Sequence, residues 1–87
     1  MPMHAIAYTK AANKALGKMP ADYRRRIMDE LKGIALDPAA YRGDWKRLSG
    51  SPFWRLRVGR YRAICDVRGG ELMLLVLKIG VRGDVYK

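Results

Sequence analysis

The chain has 87 residues, 18 of them Lys or Arg against 8 Asp or Glu, for a formal net charge of +10. With 49% hydrophobic and 30% charged residues it reads as one folded domain over 1–87, and the composition excludes disorder. A single cysteine, Cys65, excludes an intramolecular disulfide, no Cys/His cluster offers a metal site, and the longest apolar run, 72–77, falls short of the ~20 residues a membrane span needs.

The first stretch, MHAIAYT (3–9), reads as a short strand with Ile6 and Tyr8 on one face. Thr9 is placed to cap a helix running from Lys10 to about Lys18, with Ala11, Ala12, Ala15, Leu16 and Met19 on its apolar side. Pro20 suits the first position of a second helix, in which Tyr23, Ile27, Leu31 and Ile34 recur at helical spacing. Asp37-Pro38 stops that helix, so the two form a helical hairpin. Residues 37–52, DPAAYRGDWKRLSGSP, read as turn-rich and irregular.

Beyond them the period changes to two. Trp54, Leu56 and Val58 alternate with Arg55 and Arg57, and Gly59-Arg60 makes a turn. Tyr61, Ala63, Cys65 and Val67 then alternate with Arg62, Ile64 and Asp66. After a turn at 68–70, ELMLLVLKI (71–79) is nearly all apolar, as for a central strand covered on both faces and ended by Gly80. A last short strand is expected within VRGDVYK (81–87). The order is that of an α+β fold, an N-terminal strand and a helical hairpin packed on a mostly antiparallel sheet of about four strands.

Alternation carries the functional reading. If Trp54, Leu56 and Val58 pack under the helices, Arg55 and Arg57 lie on the other face, and Arg62 joins them across the turn. Residues 53–64 hold four Arg and no Asp or Glu. Like charges on adjacent strand positions repel, and nothing in a fold demands that cost; binding an anion offsets it. A net charge above the about 2–8 usual for a small domain points the same way, to nucleic acid, a ribosome or an acidic protein. A domain this short buries only about 60% of its unfolded surface, which also favours a partner. Phe53 and Trp54 read as core, Cys65 as a buried thiol, and His4 carries no chemistry. With no oxidising signature and no apolar leader in MPMHAIAYTK, a cytoplasmic location is expected, with no membrane partner.

WKRLSG (45–50), WRLRVGRYRAICDV (54–67), ELMLLVLKIG (71–80) and VRGDVYK (81–87) together resemble the RelE/ParE superfamily of toxins from type II toxin–antitoxin pairs, the RelE branch in particular. The resemblance covers nearly the whole chain. It implies a ribosome-dependent endoribonuclease that needs no metal or cofactor and cuts mRNA in the A site by attack of a ribose 2′-OH on the adjacent phosphate. The implied catalytic set is Arg57, Arg62, Arg82 and Tyr86: Arg62 contacts phosphate, Arg82 stabilises the transition state and Tyr86 stacks on the cut base. Arg55, Arg60, Lys46 and Arg47 are the implied RNA contacts. Arg55 and Arg57 stand where the best-known member has lysines, and Val81 stands where many relatives have histidine. The implied partners are an acidic antitoxin, the ribosome and mRNA, with operator DNA reached only through the antitoxin. Two other readings stay open: a ParE-like toxin that binds DNA gyrase, and a non-catalytic nucleic-acid-binding or antitoxin-bound module.

Overall fold

A computed structural model of the protein describes residues 4–81. In chain order the elements are β1 (Ala5–Tyr8), α1 (Lys10–Lys18), α2 (Ala21–Leu36), β2 (Trp45–Arg47), β3 (Trp54–Val58), β4 (Tyr61–Arg68) and β5 (Met73–Val81). Thr9 caps α1: its Oγ1 accepts from the Ala12 amide at 3.1 Å and donates to the Leu77 carbonyl at 2.6 Å. Pro20 sits one position ahead of α2, where its fixed φ of −55° starts the helix without an N–H to satisfy.

The strands lie in the order β1-β5-β4-β3-β2, with β1 parallel to β5 and the other pairs antiparallel. The α+β class is as the sequence implied, but among the described residues the sheet has five strands rather than about four. The extra one is β2, inside the stretch read as irregular. Three residues between turn segments are too few to show a period, and the strand exists because β3 pairs with it. Backbone bonds beyond its ladder hold both ends, from the Arg57 amide to the Asp44 carbonyl and from the Leu48 amide to the Phe53 carbonyl, each 2.9 Å.

Both helices pack on one side of the sheet. Ala12, Leu16, Ile27, Leu31, Ile34 and Ala35 meet Leu56, Val58, Ala63, Cys65, Leu74, Val76 and Ile79 there. Among the described residues the opposite side carries no helix, and β5 is covered more on one face than the other: Leu74 and Val76 are fully buried while Met73, Leu75 and Leu77 are half-buried. Strand β5 starts two residues later than its sequence suggests, because residues 69–71 form a tight turn closed by Leu72 at a φ of +50°. It then runs through Gly80 to Val81. The closing segment VRGDVYK, apart from Val81, lies outside the described residues. No helix among the described residues is long and apolar enough to cross a membrane.

One irregularity decides which side chains face outward. Ile64 pairs with Lys78 but Cys65 pairs with Val76, so Leu77 is an extra residue in β5. A bulge of this kind shifts the alternation downstream of it. Lys78 therefore leaves the face of Leu74 and Val76, and Ile79 takes the buried position instead.

Candidate functional site

Register places the cations of the helix-free face in two rows. Directly opposed residues share a face. One row runs Lys46–Arg55–Ile64–Lys78 across β2, β3, β4 and β5. The next runs Arg57–Arg62–Gly80 across β3, β4 and β5. The hairpin that brings Arg57 opposite Arg62 turns at Gly59-Arg60. Only Gly59 has a positive φ there, +59°, the pattern of a type II′ turn. A Cβ on Gly59 would stand 2.8 Å from Tyr23 Cε1, so both backbone and packing require glycine.

The arginines differ in their freedom. Arg55 donates from Nη2 to Asp44 Oδ1 at 2.6 Å, and its side chain is only 13% exposed. The sequence offered no acid within 53–64; the partner comes from the segment before β2. Arg57 is exposed and its Nε donates to the Gly59 carbonyl at 3.4 Å. Arg62 is half-buried, and among the described residues neither it nor Arg57 has a carboxylate partner. Gly80 beside Arg62 adds no side chain to that row. At the far end of the same face Asp66 is engaged by Arg68 at 3.0 Å.

Other expected contacts fall elsewhere. By register Arg47 shares the face of Trp54, the side that carries the helices, and its Nε donates to the Ser51 carbonyl at 3.4 Å. Arg60 lies over the rings of Tyr23 and Tyr61, 5.8 Å from each centroid. Lys46 is exposed in the first row. Arg82 and Tyr86 lie outside the described residues. Trp54 stacks on Trp45 at 5.2 Å on the helix side. Phe53, read as core, instead lines a hollow on the helix-free face with Ile64 and Leu77. Sequence reasoning passed over Asp44 and Lys78. The one charge in an apolar strand was the available signal for Lys78, but strict alternation would have sent it into the core.

Among the described residues no group of His, Cys, Asp or Glu is placed to hold a metal ion. Burial pushes the Cys65 thiol up to about 12, so it is protonated and unreactive at neutral pH. Burial and a hydrogen bond to Glu30 likewise raise Tyr41 well above the usual phenol range. His4 lies by β1, at the sheet edge opposite β2. What remains is a cationic surface of permanently charged donors, suited to phosphate oxygens and to negative charge that develops on a phosphorus centre.

The family described as "ParE toxin of type II toxin-antitoxin system, parDE" matches residues 6–86. The chain belongs to the ParE toxin family. The toxin's fold is also found in an archaeal RelE–RelB complex from Pyrococcus horikoshii OT3, 25% identical, covering 95% of this chain and 99% of that one with a TM-score of 0.81. A double mutant of the E. coli toxin RelE in the free state is 18% identical at a TM-score of 0.82, covering 98% and 92% of the two chains. A YoeB/ParE toxin from Agrobacterium tumefaciens is 19% identical at 0.77, covering 90% and 98%. No curated protein matches the sequence. This toxin is thus a member of the RelE/ParE superfamily of type II toxin–antitoxin toxins.

Proposed function

We propose that the toxin is a ribosome-dependent endoribonuclease that cleaves mRNA in the A site and so stops translation. The observation that carries this reading is the Arg57–Arg62 pair, directly opposed on the helix-free face with no carboxylate partner among the described residues. In the proposed reaction the ribose 2′-OH attacks the adjacent phosphorus and the bond to the 5′ oxygen breaks. The products are a 2′,3′-cyclic phosphate and a 5′-OH. Arg57 and Arg62 neutralise the pentavalent phosphate, and the family resemblance gives Arg82 the transition-state charge and Tyr86 the cut base. Arginine keeps its proton above pH 12 and does not serve as the general acid. Proton transfer to the leaving oxygen therefore falls to Tyr86 or to water, and the guanidinium groups act by charge alone. Arg55, held by Asp44, and Lys46 extend the RNA track.

An acidic, partly disordered antitoxin that wraps the domain is the partner that fits +10 and a thin core. The RelE–RelB complexes among the similar structures support it. Operator DNA is contacted through that antitoxin, and the setting is the cytoplasm.

A second reading has its own support, since the matched family is described by ParE. In that reading the toxin binds DNA gyrase and cleaves nothing. Mapping mRNA ends on translating ribosomes, beside a supercoiling assay, separates the two. Cleavage that disappears in Arg82→Ala and Tyr86→Ala variants of retained fold supports the nuclease. Intact messages with inhibited supercoiling overturn it.

A further inference from the structure

The helix-free face is not uniformly cationic. Ile64, flanked directly by Arg55 and Lys78, is 6% exposed although no helix among the described residues covers it. The β2–β3 loop lines the same hollow as Ile64. That loop closes through the Leu48–Phe53 backbone bond and turns at Gly50, φ +71°. The Phe53 amide donates to Ser51 Oγ at 3.1 Å, which fixes the aromatic residue at the strand entrance. This hollow of about 410 Å³ lies between loop and sheet, lined by Leu48, Ser49, Ser51, Phe53, Ile64, Leu77 and Lys78. The bulge at Leu77 puts two consecutive β5 residues into this lining.

We infer that this hollow is a nucleobase subsite, taking one unstacked base of a single-stranded RNA whose phosphates lie along the Arg57–Arg62 row. The inference rests on the ribonuclease reading and adds a second base contact to it. The lining joins four apolar side chains, one of them an aromatic ring, to two serines of the loop and one amine, so it offers an apolar surface as well as polar groups at its margin. A flat, largely apolar base with polar edges matches that lining, and its volume lies in the ~300–1,000 Å³ range of small-ligand sites. Ile64 and Arg62 are two residues apart on β4, about 6.5 Å. One nucleotide spans that distance, so a base in the hollow leaves its own phosphate at the arginine pair. Aromatic and apolar platforms set between cations are how single strands are held without sequence-specific pairing.

The test is fluorescence anisotropy with the full-length toxin and labelled single-stranded RNA hexamers, one intact and six each with a single abasic position. Wild-type toxin is expected to bind at least one abasic hexamer about tenfold more weakly than the intact one. Phe53→Ala should weaken the intact hexamer by about the same factor, remove that difference, and leave the salt dependence unchanged. Ser49→Trp, which fills the hollow from the loop, should do the same. Arg62→Gln should instead weaken all hexamers alike and flatten the salt dependence. Equal wild-type affinity for every hexamer, or Phe53→Ala and Ser49→Trp toxins that fold and bind RNA as wild type does, overturns the subsite. The ribonuclease reading survives that result if Arg62→Gln still weakens binding. Absence of any salt-dependent RNA binding overturns the subsite, and the ribonuclease reading is then decided by mRNA ends mapped on translating ribosomes. Weakened binding of an acidic apolar peptide in the Phe53→Ala toxin, with RNA binding intact, assigns the hollow to a protein partner and overturns the inference.

Discussion

Replacing Arg62 by Gln should make the toxin more stable and worse at binding RNA. Arg62 stands directly opposite Arg57 and lacks a carboxylate partner among the described residues. Like charges in that position cost about 0.2–1 kcal/mol. For a domain of this length 1 kcal/mol moves Tm by about 4–8 °C, so relief of the repulsion raises it by about 1–8 °C. The gain belongs to low ionic strength, and at 1 M salt, where the screening length is about 3 Å, it should vanish. Loss of one phosphate contact on a single strand lowers the slope of log affinity against log salt by ~0.7, or about fivefold in affinity at 0.1 M. Calorimetry at two salt concentrations and an RNA titration across salt measure both effects. Arg62→Lys keeps the charge and should leave both quantities near wild type. A Tm that falls in Arg62→Gln at low salt, or an unchanged salt slope, refutes the reasoning that this arginine is retained for an anion.

Asp44→Asn removes the carboxylate that holds Arg55 at 2.6 Å and should cost about 1–2 kcal/mol in urea denaturation, while steepening the salt dependence of RNA binding as Arg55 is released. Gly59→Ala should cost about 2 kcal/mol or more, from its φ of +59° and the 2.8 Å approach to Tyr23. Gly50→Ala, at φ +71° with nothing within 4 Å, should cost only the backbone part, about 1 kcal/mol, and thermal melts of the two variants isolate the Tyr23 contact. Cys65 has its thiol raised from 9.0 to about 12 by burial, so between those values the unfolded chain loses a proton that the folded one keeps. The contribution of this thiol should therefore be level below pH 8 and fall as pH rises above 9, with Tyr8 adding to the loss above 10. Denaturation at pH 8 and pH 10.5 checks this, and Cys65→Ala should remove part of the decline.

The helical hairpin and the 54–67 strand pair were legible because their signals are local: a Thr9 cap, a proline break, and a period that changes from 3.6 to 2. The placement of Arg55, Arg57 and Arg62 on one face followed from alternation alone, since β3 and β4 are regular as far as Ile64. Three features escaped for reasons of range. Strand β2 is too short to announce itself and depends on a pairing seven or more residues away in sequence. The carboxylate that holds Arg55 is eleven residues off, on the far side of that hairpin. Lys78 reaches the outer face only through an inserted residue, and an alternating reading of LMLLVLKI has no means of seeing one. Phe53 was assigned to the core by hydrophobicity, whereas its place was set by the backbone bond that pairs it with Leu48.

Thr9 gives one hydroxyl two duties. It terminates the first turn of α1 and it grips the carbonyl of Leu77, the residue at which β5 changes parity. The two layers of the molecule are thus riveted together at the point where the outer surface acquires its amine. The start of a helix on one face and the strand segment that carries Lys78 on the other therefore share a single hydroxyl as their tie.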